Sequence, residues 1–198
     1  MDEILRSELL RMAAYDAKVR AELAADGSLF QGYHPRMRAV HEENAARLEE
    51  IIEEHGWPGP ALVGDDGAEA AWRVVQHAIG KPPFQRRCLQ LLLKAAESGK
   101  VSAWQPAYLE DRIRFFEGKP QLYGTQFEAD ENGVLRPYLI EDVEHVDERR
   151  RRIGLDSIAE RTEKMREGAK QEVSRPVVNQ EEWNRKYEAW LREVGWRD

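Results

Sequence analysis

The stretch "QLYGTQFEADENGVLRPYLI", residues 121–140, decides how the whole chain is read. Everything before it carries the helical period. Here the pattern alternates instead, and Tyr, Thr, Phe, Val and Leu gather as they do on a pleated surface. Asn132-Gly133 between the two halves is the strongest short hairpin signal. Gln121–Glu128 and Val134–Ile140 are therefore expected to pair as one small antiparallel hairpin. On such a strand Leu122, Gly124 and Gln126 share one face, and Gln121, Tyr123, Thr125 and Phe127 share the other. A glycine inside a strand marks either close approach of a ligand or a bulge. With a ligand there, the Gln126 amide can both donate and accept.

Upstream, residues 2–25 read as one amphipathic helix, with Leu5, Leu9, Met12, Val19 and Leu23 on its stripe. Asp26-Gly27 ends it. A second helix runs over 35–55 with Pro35 early, and Gly56 followed by Trp57-Pro58-Gly59-Pro60 closes it. Asp65 or Asp66 caps a third that reaches about Ile79, before Gly80 and Pro82-Pro83. A fourth spans about 84–98, and a fifth runs from near Pro106 to Gly118. Downstream of the hairpin, 142–152 and 155–166 return to helix with a break at Gly154. Residues 167–178 read as a linker. Asn179 with Glu182 makes a capping-box pattern for a last helix carrying Trp183, Tyr187, Trp190 and Val194.

The fold class that follows is mainly α: a compact helical bundle with one small antiparallel β-hairpin and a C-terminal helix. The expected organisation is one helical domain over 1–166, with the hairpin at about 121–140. Linker and Trp-rich helix occupy 167–198. The aromatics of that helix must bury against the parent domain or against a second copy, so a homo-oligomer through Trp183, Tyr187 and Trp190 is one expectation.

Bulk composition narrows the function. The 198 residues suit about one domain, and 30 Lys and Arg against 37 Asp and Glu leave a formal charge of −7. A general nucleic-acid binder needs clustered cations and is not expected. The run Arg149–Arg152 follows Asp147 and Glu148 on a helical pattern and reads as a solvated face. Cys88 is the only cysteine. It excludes an internal disulfide or a cysteine-based zinc site, suits a reducing compartment, and reads as a small buried hydrophobe. No signal peptide is evident, and no apolar stretch approaches the about 18 residues of a membrane span. A soluble cytoplasmic protein without membrane or nucleic-acid partners is expected.

The informative residues are polar ones on apolar stripes. Along 5, 9, 12, 16, 19 and 23 only Asp16 is polar, and a buried carboxylate is costly unless paired. Arg20, four residues on, can supply the pair, as a structural bridge or as a charged pair facing a site. On the second helix His41 and Asn44 interrupt a stripe of Met37, Leu48 and Ile51. Gln76 and His77 sit at the edge of the third, Gln85 opens the fourth, and Asp111 and Arg112 follow Tyr108 on the fifth. These side chains, with Gln121, Tyr123 and Gln126, are expected to meet in one polar hollow.

Together the residues resemble a bacterial family known only as a domain of unknown function. The match rests on Asp16 with Arg20, His41 with Asn44, "HGWPG" at 55–59, "VG" at 63–64, "QHA" at 76–78, "FQ" at 84–85, "YLEDR" at 108–112, "GKPQLYGTQ" at 118–126, and "IED" with the following "RR..GL". It covers roughly residues 10–160. The resemblance implies no activity.

No P-loop, dinucleotide fingerprint or nucleophile elbow is present. "HEENA" at 41–45 lacks the second histidine of a zincin helix. The leading expectation is a small-molecule enzyme using general acid–base catalysis for hydrolysis or group transfer on a polar or anionic metabolite. His41 or His77 moves the proton and Asp16 or Asp111 orients the imidazole. Arg20 or Arg112 holds an anionic group. Asn44, Gln76, Gln85, Gln121, Tyr123 and Gln126 fix orientation. No cofactor is expected in that scheme. The alternatives are a non-catalytic ligand-binding or interaction module, and a divalent-metal enzyme using His41, His77 and Asp16 or Asp111.

Overall fold

The computed structural model describes residues 1–130, 133–171 and 180–198. Among these lie eight α-helices and one two-stranded antiparallel sheet: α1 Glu3–Ala25, α2 Pro35–His55, α3 Pro60–His77, α4 Pro82–Glu97, α5 Trp104–Phe116, β1 Phe127–Ala129, β2 Leu135–Pro137, α6 Val146–Arg152, α7 Ile158–Gln171 and α8 Gln180–Val194. The mainly α architecture with one hairpin and a C-terminal helix is the one read from the sequence. No helix among the described residues is long and apolar enough to cross a membrane.

The helix boundaries follow from local chemistry. Asp2 accepts from the backbone of Ile4 and Leu5 and caps α1. Gly27 takes the left-handed conformation that ends α1's approach to the next turn. Helix α3 starts earlier than the sequence suggests. Pro60 opens it with a preset φ, and Gly64 breaks the path at φ 72° before the main run begins. Asp66 there accepts from Gly67 N–H and grips Arg6 of α1.

The chain falls into two compact units. The first holds residues 1–101, α8 and Trp196; the second holds the described residues of 102–171 and Arg197. The sequence reading took 1–166 as one domain, with the last helix apart.

In the first unit α3 packs along α1, with α2 beside both and α4 against α3. Leu9, Val19, Leu48, Ile51, Val63, Val75, Cys88 and Leu92 form its dry interior. Burial pushes the Cys88 thiol up to about 12, which fits a space-filling side chain and not a nucleophile. Helix α8 is anchored here. Leu191 and Trp196 are buried, Trp196 Nε1 donates to the Ile79 carbonyl at 2.7 Å, and Arg38 pairs with Glu193. The Asn179 cap lies outside the described residues, as do 172–178 of the expected linker; 167–171 continue α7.

In the second unit the hairpin is shorter than expected. Pairing is confined to Phe127↔Pro137, Glu128↔Arg136 and Ala129↔Leu135. The turn is closed by Gly133 N–H to Asp130 O and Val134 N–H to the Asp130 carboxylate. Glu131 and Asn132 lie outside the described residues. Residues 121–126 are not a strand. Gln121 instead meets Ile140 in an isolated parallel bridge, and Gly124 turns the backbone at φ +68°. Gly154 ends α6, as read, and α7 then starts behind Ser157. Ser157 and Glu160 form a reciprocal capping box there, which the sequence reading passed over.

Candidate functional site

Three elements of the first unit deliver the site. The polar breaks in two helical stripes face each other: Asp16 from the middle of α1 and His41 from the first half of α2. His77 arrives from the last turn of α3. That turn is held by fully buried Gln85, whose amide nitrogen donates to the carbonyls of Val75 and Gln76 at 2.6 and 3.3 Å. The Val75 carbonyl also accepts from Ala78 N–H at 3.2 Å, which closes the last turn. Asn44, one turn beyond His41, donates to the Met12 carbonyl at 3.4 Å and ties α2 to α1.

His77 Nδ1 lies 2.9 Å from Asp16 Oδ2, in hydrogen-bond geometry. His41 Nε2 lies 3.2 Å from the same oxygen. Its N–H direction does not meet that oxygen, so this buried nitrogen makes no hydrogen bond. On the other side of the ring, His41 Nδ1 is 2.9 Å from the Tyr33 hydroxyl. The two imidazoles stand 5.3 Å apart, centroid to centroid. One ligand atom from each of Asp16, His41 and His77 lies within 4.8 Å of the others, and no other such group of His, Cys, Asp and Glu occurs among the described residues.

Asp16 is buried, and the side chains of His41 and His77 are 10% and 30% exposed, so the cluster meets solvent mainly at His77. Burial alone would raise the Asp16 pKa. The contacts with His41 and His77 outweigh it and hold this carboxyl well below the ordinary carboxylate range. Burial, reinforced by the charge of Glu42, pushes the Tyr33 phenol up, so it stays protonated. Beyond Tyr33 the rings continue: Trp190 meets it edge-on at 5.4 Å, and Tyr187 and Trp183 stack in turn along α8.

Not every residue singled out from the sequence belongs to this cluster. Arg20 is exposed, and Asp16 turns inward to the histidines instead of pairing along its own helix. Gln76 is buried beside His77, with its carbonyl held by Gln85. Asp111, Arg112, Gln121, Tyr123 and Gln126 lie in the second unit. There the Asp111 carboxylate accepts the N–H groups of Leu122, Tyr123 and Thr125 at 2.7–3.1 Å. Burial raises its pKa against those amides. Gln121 donates to the carbonyls of Gln126 and Tyr138 and accepts from Gln126 N–H. The Tyr123 carbonyl accepts from fully buried Arg150, and the Gln126 side chain donates to Thr125 Oγ1. Burial, which removes water from the guanidinium, lowers the Arg112 pKa to about 10. The side chains of Asp111, Gln121 and Arg150 hold this loop in shape. Arg149 and Arg150, expected on a solvated face, belong to the same work through Leu122 O and Tyr123 O.

Sequence reasoning missed Tyr33. It sits in the connection before α2, eight residues from His41, and no stripe or motif marks it. Trp190 was noticed only as part of an aromatic face.

The profile of a family of unknown function (DUF6624) matches residues 3–172, and the chain belongs to that family. Helix α8 lies beyond the matched residues. No curated protein and no solved structure matches the chain.

Proposed function

We propose that this member of the DUF6624 family is a small-molecule enzyme, and that Asp16, His41 and His77 hold a divalent metal ion at its centre. One observation carries the reading. Three ligand-type atoms from three helices converge within 4.8 Å, and one of them, His41 Nε2, is buried without a hydrogen bond. The Asp16 carboxylate 3.2 Å away meets that nitrogen by charge but not in hydrogen-bond alignment, and an ion between them would engage both. Two imidazoles and a carboxylate suit first-row divalent ions such as zinc, iron, cobalt or manganese. Tyr33 on His41 Nδ1 is the outer-shell partner such ligands carry.

A bound ion would supply Lewis-acid polarisation of a substrate oxygen. The protein's own part is to fix three ligands on three helices and leave His77 partly exposed to solvent. Hydrolysis or group transfer on a polar or anionic metabolite is the chemistry this arrangement fits. The buried single thiol suits a reducing bacterial cytoplasm as its place of work.

A second reading is favoured by the 2.9 Å contact between His77 Nδ1 and Asp16. It needs no metal: Asp16 orients His77, whose other nitrogen carries the proton. Calorimetric titration of metal-free protein with Zn²⁺, Co²⁺ and Mn²⁺, alongside a panel of phosphate and carboxylate esters and amides, separates the two. The metal reading expects one ion bound, lost in Asp16→Asn and His41→Ala, and turnover that stops with chelation. Turnover that survives chelation but dies in His77→Ala selects the metal-free scheme. Ligand affinity with no turnover in either state makes the chain a binding module.

A further inference from the structure

We infer that Tyr33 and Trp190 are positioning residues of the metal centre, so that helix α8 completes the site. The inference rests on the metal reading above.

His41 can aim Nε2 at Asp16 and His77 only while its ring is held from the Nδ1 side. Tyr33 does this twice over. Its hydroxyl is 2.9 Å from Nδ1, and its ring lies over the imidazole with centroids 5.7 Å apart at 28°. Metal-binding imidazoles depend on such a partner at the second nitrogen for tautomer and ring orientation.

Tyr33 itself stands on no helix and needs walls. One wall is Gly80, three residues after His77. A methyl group there would lie 3.6 Å from Tyr33 Cε1 and 3.9 Å from its hydroxyl. The other wall is Trp190, whose ring meets Tyr33 edge-on at 5.4 Å and 72°. Trp190 is held because α8 is anchored over the turn and a half that follows it. Glu193 pairs with Arg38 at 2.9 Å, Leu191 is fully buried, and Trp196 Nε1 donates to Ile79 O beside Gly80. The sequence of contacts is therefore α8, Trp190, Tyr33, His41, ion. The wedge comes from a helix beyond the family-matched residues.

Co²⁺ titration of the full-length chain, followed by its visible ligand-field bands, tests this with wild type, Tyr33→Phe, Trp190→Phe and Trp190→Ala. Tyr33→Phe keeps the ring and its packing and removes only the hydroxyl. It is expected to weaken Co²⁺ binding by about 10–100-fold and to alter the bands, with little change in melting temperature. Trp190→Ala is expected to weaken binding in the same direction, and Trp190→Phe to restore it. If Trp190→Ala does not fold, Tyr33→Phe and Trp190→Phe decide. Wild-type affinity and spectrum in both Tyr33→Phe and Trp190→Ala would overturn the positioning role and leave the metal reading standing. A wild-type chain that binds no Co²⁺ would overturn both.

Discussion

Gly124 shows how a single residue can mislead a pattern. Its place in an alternating run pointed to a strand with either a ligand or a bulge beside it. It sits instead at φ +68°, where a side chain is strained, and a Cβ there would stand 2.5 Å from Ile158 Cδ1 and 3.0 Å from Ile140 Cδ1. The missing side chain is replaced by α7, not by a ligand. Gly124→Ala combines a disfavoured backbone with overpacking and is expected to cost about 2–4 kcal/mol in denaturant unfolding. Asp156 carries a second residue-scale prediction. Burial opposes its ionisation, but Lys164 and Arg150 outweigh that and hold it below its ordinary range. A depressed pKa gives stability that is full above the unfolded value of about 4 and is lost as pH falls through the lower folded value. Asp156→Asn should therefore lower the urea midpoint at neutral pH and flatten its acid decline. Removing the partner of a fully buried guanidinium costs about 2–3 kcal/mol at neutral pH, the low end because Asp156 is 25% exposed. Asp16 was legible because a lone carboxylate on an apolar stripe needs a partner. Which partner it took was not legible: i, i+4 spacing offered Arg20, whereas the histidines come from elements 25 and 61 residues away.

At the scale of elements, periodicity found the helices of the first unit, since each buries one stripe. It failed at residues 122–126, where the N–H groups of Leu122, Tyr123, Thr125 and Gln126 go to side chains and not to a neighbouring strand. Asp111 takes those of Leu122, Tyr123 and Thr125, while Gln121, Arg149 and Arg150 take carbonyls and amides around them. Alternation of residue types records which side chains are buried, not where the amides find acceptors. Beyond Pro137 the ladder keeps only the Tyr138 N–H to Gln126 O bond, because the Gln121 amide takes Gln126 N–H and Tyr138 O. Asp111→Ala should leave three amides without their acceptor and cost about 3 kcal/mol or more. Hydrogen exchange should quicken at Leu122, Tyr123 and Thr125 while the amides of α1 and α3 keep their protection. Unchanged exchange at those three positions would contradict the stapling role.

At the scale of the molecule, the polar residues read from the sequence divide between two units and two duties. In the second unit Asp111 and Gln121 hold backbone; Asp16, His41 and His77 of the first gather at a point. Hydropathy could mark each of them as out of place. It could not tell a buried carboxylate that staples a loop from one that waits for an ion, because both look like a polar residue on an apolar face. What separates them is saturation: Asp111 is fully engaged, and His41 Nε2 is not. The most direct measurement is an anomalous difference map from crystals of the metal-stripped chain soaked in Zn²⁺, recorded above and below the zinc edge. The account predicts one peak within bonding distance of Asp16 Oδ2, His41 Nε2 and His77 Nδ1, absent in His41→Ala. A map with no peak among these three atoms at saturating Zn²⁺ would contradict it.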